Sequence, residues 1–253
     1  MLPRSIAPPL PPRILRDNGY VTGGFGKWHL TPPDNVQGAA GPFDRWPQGW
    51  GGFDHWWGGF LSGAAGQYDP IITQDNGVIG IPPTEGRDGK PYYFPPDDLT
   101  DKAVEWLHAV RAQDPNKPWM MYYSTGATHA PHHVFSEWAD KYRGGKFDDG
   151  WDAYRERTLQ RQKKELGIVP PDTELTPRPD LFPAWDSLTD DQRKLYARQM
   201  EVFAGFSENA DWNVGRLVDA VDGLGDLDNT LIFYIWGDNG APWRVPSPAR
   251  STR

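Results

Sequence analysis

The chain contains no cysteine, which excludes disulfide staples, thiolate metal ligands and a cysteine nucleophile. It has no run of 18 consecutive apolar residues, so no segment is long enough to span a membrane as an apolar helix. The N-terminus lacks the charged-then-apolar pattern of an export signal, and the sequence as written predicts a cytoplasmic protein, or a periplasmic one if an N-terminal segment is missing. Basic residues are outnumbered, 26 Lys and Arg against 34 Asp and Glu, for a formal charge of -8. That balance is opposite to the cationic surplus that meets nucleic-acid phosphates, so nucleic acid is not an expected partner. A small anion still fits an acidic chain, provided a metal and a few cations make a local positive pocket.

Bulky apolar groups are plentiful. Thirteen tryptophans among 253 residues supply the side chains of one large folded domain. Residues 1–13 hold five prolines without helical or strand periodicity and predict an irregular leader, with order beginning near Ile14. Tyr20-Val21-Thr22 then predicts a short strand, and the glycines up to Gly26 let backbone pass tightly into Lys27-Trp28-His29. Lys27 and His29 are expected at that strand's end, two residues apart on one face. From Thr31 to Pro96 the chain is rich in Gly, Pro and Trp and predicts long loops with short strands, one of them near 77–81.

Leu99, Ala103, Trp106, Leu107 and Val110 recur at helical spacing, with Thr100 as a candidate cap and Asp114 to Pro118 ending the helix. Trp119 to Tyr123 follows as a short, mostly apolar run suited to a fully buried parallel strand. Helix then strand is the crossover pattern of an α/β fold, and His129 falls just past that strand, where open α/β sheets bind ligands. Residues 134–187 predict a polar insertion carrying an amphipathic helix from Trp151 to Leu166. Thr189 and Gln192 form a capping box ahead of a long helix that ends at Gly223 or Gly225. Thr230 to Trp236 predicts a second buried strand, neighbour to the first, with Asp238-Asn239-Gly240 at its end.

Three stretches resemble the sulfatase family, specifically the arylsulfatase-type enzymes of the alkaline-phosphatase-like superfamily. Gly19-Tyr20-Val21-Thr22 leading into Gly26-Lys27-Trp28-His29 is similar to the family's G-Y-x-T and G-K-W-H signature. Thr128-His129-Ala130-Pro131 is similar to its H-x-P motif, and Asp238-Asn239-Gly240 to the D-N-G that ends a strand. Alone, Lys27 reads as solvated surface and Asp238-Asn239-Gly240 as a turn; three motifs in order give them weight. His132 and His133 read as loop residues, and His55 and His108 as packing or surface residues.

The resemblance implies a mostly parallel α/β sheet flanked by helices, the N-terminal part of a sulfatase catalytic domain, over residues 14–241; residues 242–253 lack an apolar pattern and predict a disordered tail. It implies a small sulfate ester as substrate. In the implied roles Lys27 binds a sulfate oxygen, His29 hydrogen-bonds the nucleophile, and His129 stabilises or protonates the leaving oxygen. Asp238 and Asn239 bind a divalent cation, and their oxygen ligands favour Ca²⁺, ahead of Mg²⁺, over zinc. The family's nucleophile is a formylglycine made from the Cys or Ser of C-x-P-x-R or S-x-P-x-R, preceded by two metal-binding aspartates. Nothing before Gly19 matches either element, so the sequence predicts a chain incomplete at both ends and inactive alone. Two alternatives stay open: a phosphatase or phosphodiesterase of the same superfamily, and a non-catalytic anion-binding protein.

Overall fold

A computed structural model describes residues 10–31, 47–48, 51–59, 67–68, 70–80 and 95–237. Among them, helix α1 (Pro11–Asp17) leads into strand β1 (Val21–Lys27), followed by β2 (His55–Gly59), β3 (Ile72–Gln74) and β4 (Gly77–Ile79). Helix α2 (Pro95–Gln113), strand β5 (Trp119–Ser124), helix α3 (Gly150–Lys164) and the 34-residue helix α4 (Asp190–Gly223) complete the described regular elements beside short single turns. The chain divides into two compact units, one of residues 1–133 with 210–253 and one of residues 134–209.

The first unit is built on one sheet of order β4-β3-β2-β1-β5. The expected α/β sheet with flanking helices is present, and its pairings are mixed: β1 runs parallel to both β2 and β5, while β3 pairs antiparallel with β2 and β4. Each face carries its own core. Phe25, Trp57 and Ile72 pack with Leu99 and Ala103 of α2, whereas Trp28, Phe53 and Trp56 cluster with Leu10 and Met120. Alternation along β2 delivers this division, since its neighbours Trp56 and Trp57 leave the strand on opposite faces.

A buried polar clamp sets the start of β1 against β2. The fully buried Thr22 hydroxyl donates to the Gly52 carbonyl at 2.8 Å and accepts from the Asp54 N–H at 3.0 Å. The Asp54 carboxylate in turn accepts from the Thr22 N–H at 3.0 Å. Thr22→Val keeps the shape and leaves the Asp54 N–H bonded to the Thr22 carbonyl at 2.9 Å, but strands the Gly52 carbonyl, and should cost about 1–3 kcal/mol in urea denaturation. A loss below about 0.5 kcal/mol would show that the clamp contributes nothing net.

Several expectations need correction. The irregular leader was placed through Arg13, yet α1 begins at Pro11, because proline is favoured in a first helical turn where its missing N–H has no partner to lose. Thr100 is not a cap: α2 starts at Pro95, with Asp97 and Asp98 in its first turn, and the Thr100 hydroxyl lies 3.0 Å from the Pro96 carbonyl and 2.8 Å from the Tyr123 hydroxyl. Burial pushes that tyrosine up to about 12. The strand at 119–124 is half-buried rather than fully buried, because it forms the sheet's edge. The segment 231–236 is neither a strand nor buried; it has no ladder partner among the described residues, and its side chains are exposed. Apolar composition signalled a wish for burial, but no described strand stands beside it to provide one. The strand β2 within the Trp-rich region was missed individually, because Trp56 and Trp57 are both buried and break the alternation a half-exposed strand would show.

Residues 134–209 fold around Phe147, Trp185, Leu188 and Ala197, so the predicted polar insertion has a core of its own. The expected capping box is present: the Thr189 N–H donates to Gln192 Oε1 at 2.9 Å and the Gln192 N–H to Thr189 Oγ1 at 3.3 Å.

Candidate functional site

Lys27 ends β1, and its placement follows from the strand's register. Parallel pairing sets Gly26 opposite Ser124, the last residue of β5, and Lys27 opposite Gly59, the last residue of β2. Three carboxyl ends therefore meet at one sheet edge, and the chain leaving β5 reaches His129 five residues on. The register is possible only because residue 26 is glycine. Its φ is +112°, and a Cβ there would fall 1.8 Å from the Ser124 carbonyl oxygen.

Lys27 is half-buried, and burial lowers its ammonium from the ordinary lysine value. A cation held partly out of water, with no counter-ion among the described residues, is primed to take an anion. His29 is exposed, and its backbone is left-handed, with φ 56°. Strand alternation stops at Lys27, so the expectation that Lys27 and His29 share one strand face is replaced by a turn that re-aims His29. Non-glycine residues in this region are strained and gather at functional sites. His29→Gly should therefore raise stability by about 1 kcal/mol, read from chemical denaturation, while removing the imidazole. A destabilised variant would mean that the ring supports the fold.

His129 is exposed in the turn after β5, where its N–H donates to the Gly126 carbonyl at 2.9 Å. Its ring Nδ1 lies 2.7 Å from the Ala130 carbonyl oxygen. A carbonyl can only accept, so Nδ1 carries a proton and Nε2 is the nitrogen presented to a ligand. Nearby His132 sits below the ordinary imidazole value, first through burial and then through His129 and His133. His55, read as a packing residue, contacts the Phe25 ring and lies 3.4 Å from Asp75.

Asp238 and Asn239 lie outside the described residues, and so does the edge they were expected to share with His129. Among the described residues no group of three or more His, Asp or Glu could hold a metal ion, so these residues do not compose a cation site. Sequence reasoning singled out Lys27, His29 and His129 and the tight backbone passage through the glycines up to Gly26, but missed that Gly26 meets β5 and that Thr22 bonds with Asp54 at the strand's start. Gly23-Gly24-Phe25-Gly26 held a signal for the first, because a glycine-rich strand marks close backbone approach.

An α/β sheet with candidate ligand groups beyond the carboxyl ends of neighbouring parallel strands is the arrangement of many enzymes and binding proteins. The sequence pattern of the Sulfatase family matches residues 6–249, and the chain belongs to that family. It is 31% identical over 233 residues to an arylsulfatase of Klebsiella aerogenes, covering 90% of this chain and 46% of that protein. It is 29% identical over 268 residues to an N-acetylglucosamine-6-O-sulfatase of Bacteroides thetaiotaomicron, covering 88% of this chain and 42% of that protein. Among solved structures, Bacteroides fragilis yidJ superposes with a TM-score of 0.52 at 20% identity, over 86% of this chain and 41% of that one. That likeness shows the α/β fold. The chain thus spans less than half the length of these relatives.

Proposed function

We propose that this chain carries the anion-binding side of an arylsulfatase-type sulfuric ester hydrolase site. The observation that supports it most is the β1–β5 register, which sets the half-buried Lys27 and the loop bearing His129 at one sheet edge. A sulfate monoester resists attack because a nucleophile must approach an anionic group, so cations must absorb charge as the transition state forms. Lys27 binds a sulfate oxygen, His29 hydrogen-bonds the nucleophile, and His129 stabilises the leaving oxygen or, carrying a proton on Nε2 as well as on Nδ1, gives it that Nε2 proton as general acid. Asp238 and Asn239 contribute oxygen ligands to a divalent cation, Ca²⁺ in preference to Mg²⁺, which would supply further charge neutralisation at the ester. Two residues fall short of the six to eight oxygens Ca²⁺ takes, and neither C-x-P-x-R nor S-x-P-x-R stands before Gly19 to furnish a formylglycine. The chain alone binds the anion and does not turn it over.

Lys27 provides the test. Without anion its charge is disfavoured by burial, so Lys27→Met should be as stable as the parent or more so, by less than about 1 kcal/mol because the group is largely screened by water. Sulfate at millimolar concentration should raise the parent's melting temperature and leave Lys27→Met unmoved, with calorimetric titration giving a saturable isotherm only for the parent. Equal response of both proteins would remove Lys27 from the site. Inorganic phosphate titrated alongside separates the phosphatase reading, which predicts tighter phosphate than sulfate binding.

A further inference from the structure

The loop after β5 carries His132 and His133 beyond the candidate catalytic His129, and it is folded tightly. Besides the bond from the His129 N–H to the Gly126 carbonyl, the His133 N–H donates to the Pro131 carbonyl at 3.0 Å. His129 and His133 both lie within electrostatic reach of the His132 ring. His133 in turn has a partner from a remote part of the chain. The Tyr68 ring stacks on its imidazole with centroids 5.0 Å apart and planes 7° from parallel, inside the range of offset aromatic pairs. Beside it, the N–H of the fully buried Gln67 donates to His133 Nδ1 at 3.2 Å. A backbone N–H can only donate, so Nδ1 holds no proton and His133 is the neutral ring with its proton on Nε2. Anchor and stack together fix both ring planes. One face of Tyr68 rests on His133, yet the residue is still 38% exposed, which leaves open aromatic surface against the loop that bears His129.

We infer that the Tyr68–His133 stack receives the leaving group of the ester, and that this leaving group is a planar aryl ring. The inference rests on the anion-site reading, in which His129 meets the leaving oxygen. Whatever is attached to that oxygen lies on the His129 side of the sulfate, and Tyr68 is an exposed ring held on that same loop. The parallel geometry selects a flat group: a third ring extends a parallel stack over its whole face, whereas a puckered ring touches it through a few hydrogens. Charge is compatible as well. Burial raises the Tyr68 hydroxyl above the ordinary phenol value, so it stays protonated at neutral pH and sets no negative charge beside an anionic ester.

Calorimetric titration of the whole chain with inorganic sulfate, methyl sulfate, cyclohexyl sulfate and phenyl sulfate tests the inference. Phenyl sulfate should bind about three- to tenfold more tightly than methyl sulfate, with cyclohexyl sulfate, of similar size but not flat, between the two. Tyr68→Leu should bring phenyl sulfate down to the cyclohexyl value without moving inorganic sulfate, and Tyr68→Phe should retain the preference. His133→Ala removes the support rather than the platform and should lower the phenyl preference while inorganic sulfate binds as before. Equal binding of phenyl and cyclohexyl sulfate by the parent would overturn the stack, as would a phenyl preference that survives in both Tyr68→Leu and His133→Ala. The two readings fail separately. Sulfate binding without a phenyl preference overturns the platform and keeps Lys27 in its role, whereas a Tyr68-dependent phenyl preference without inorganic sulfate binding keeps the platform and removes the anion site. No binding of any ester overturns both.

Discussion

Purified chain should hydrolyse an activated aryl sulfate no faster than its Lys27→Ala and His129→Ala variants. Covalent hydrolysis needs a nucleophile, and the sequence holds no cysteine and no S-x-P-x-R before the Gly19-Tyr20 motif to furnish one. Groups that act as one catalytic unit lose most of their effect when any member is missing, so the remaining cation and imidazoles cannot restore a rate that needed all of them. The expected deficit is at least about 10⁴-fold against a complete enzyme. Steady-state assay of the parent and the two variants decides the matter. Turnover well above background in the parent, abolished in both variants, would show that another group in this chain serves as nucleophile.

Gly26→Ala should cost about 3 kcal/mol or more in urea denaturation, and should abolish the sulfate response expected of Lys27. Two effects add. The backbone φ of +112° disfavours any L side chain, and the new methyl would overlap the Ser124 carbonyl, a backbone group that cannot swing aside. Relief requires β1 and β5 to part at the residue immediately before Lys27. Gly19→Ala separates the two effects: its φ is +92° but nothing lies within 4 Å of the added methyl, so only backbone strain of about 1 kcal/mol is expected. Equal losses at the two positions would mean that the β1–β5 contact is more forgiving than its spacing indicates.

These positions also show what the sequence made legible. Lys27, His29 and His129 stood out because each falls in a short motif with punctuation around it, and because an α/β crossover fixes which end of a strand faces ligand. The long helix with its Thr189–Gln192 box was equally open to reading, since capping is a local hydrogen-bond pattern. What stayed hidden depended on partners distant in the chain. Thr22 looks like any strand threonine until Asp54 and Gly52 arrive from beyond a long connection. The half-burial of Trp119–Ser124 and the exposure of 231–236 reflect which described strands stand beside them, and no residue's own chemistry records its neighbours across a sheet.

The register of β1 also bears on how the protein reaches its native state. β3 and β4 join through Asp75 and Asn76 alone, a contact the chain can find within microseconds of local search. β1 instead pairs Val21 with Trp119, closing a loop of roughly a hundred residues whose ordering entropy is spent before the pairing returns anything. Residues near the hairpin and α2 can therefore acquire protection early, and β1 can meet β2 across about thirty residues, whereas the β1–β5 contact beside Lys27 is expected to close among the last. The order of assembly makes the candidate site a property of the finished sheet, absent from every partly folded form of the chain.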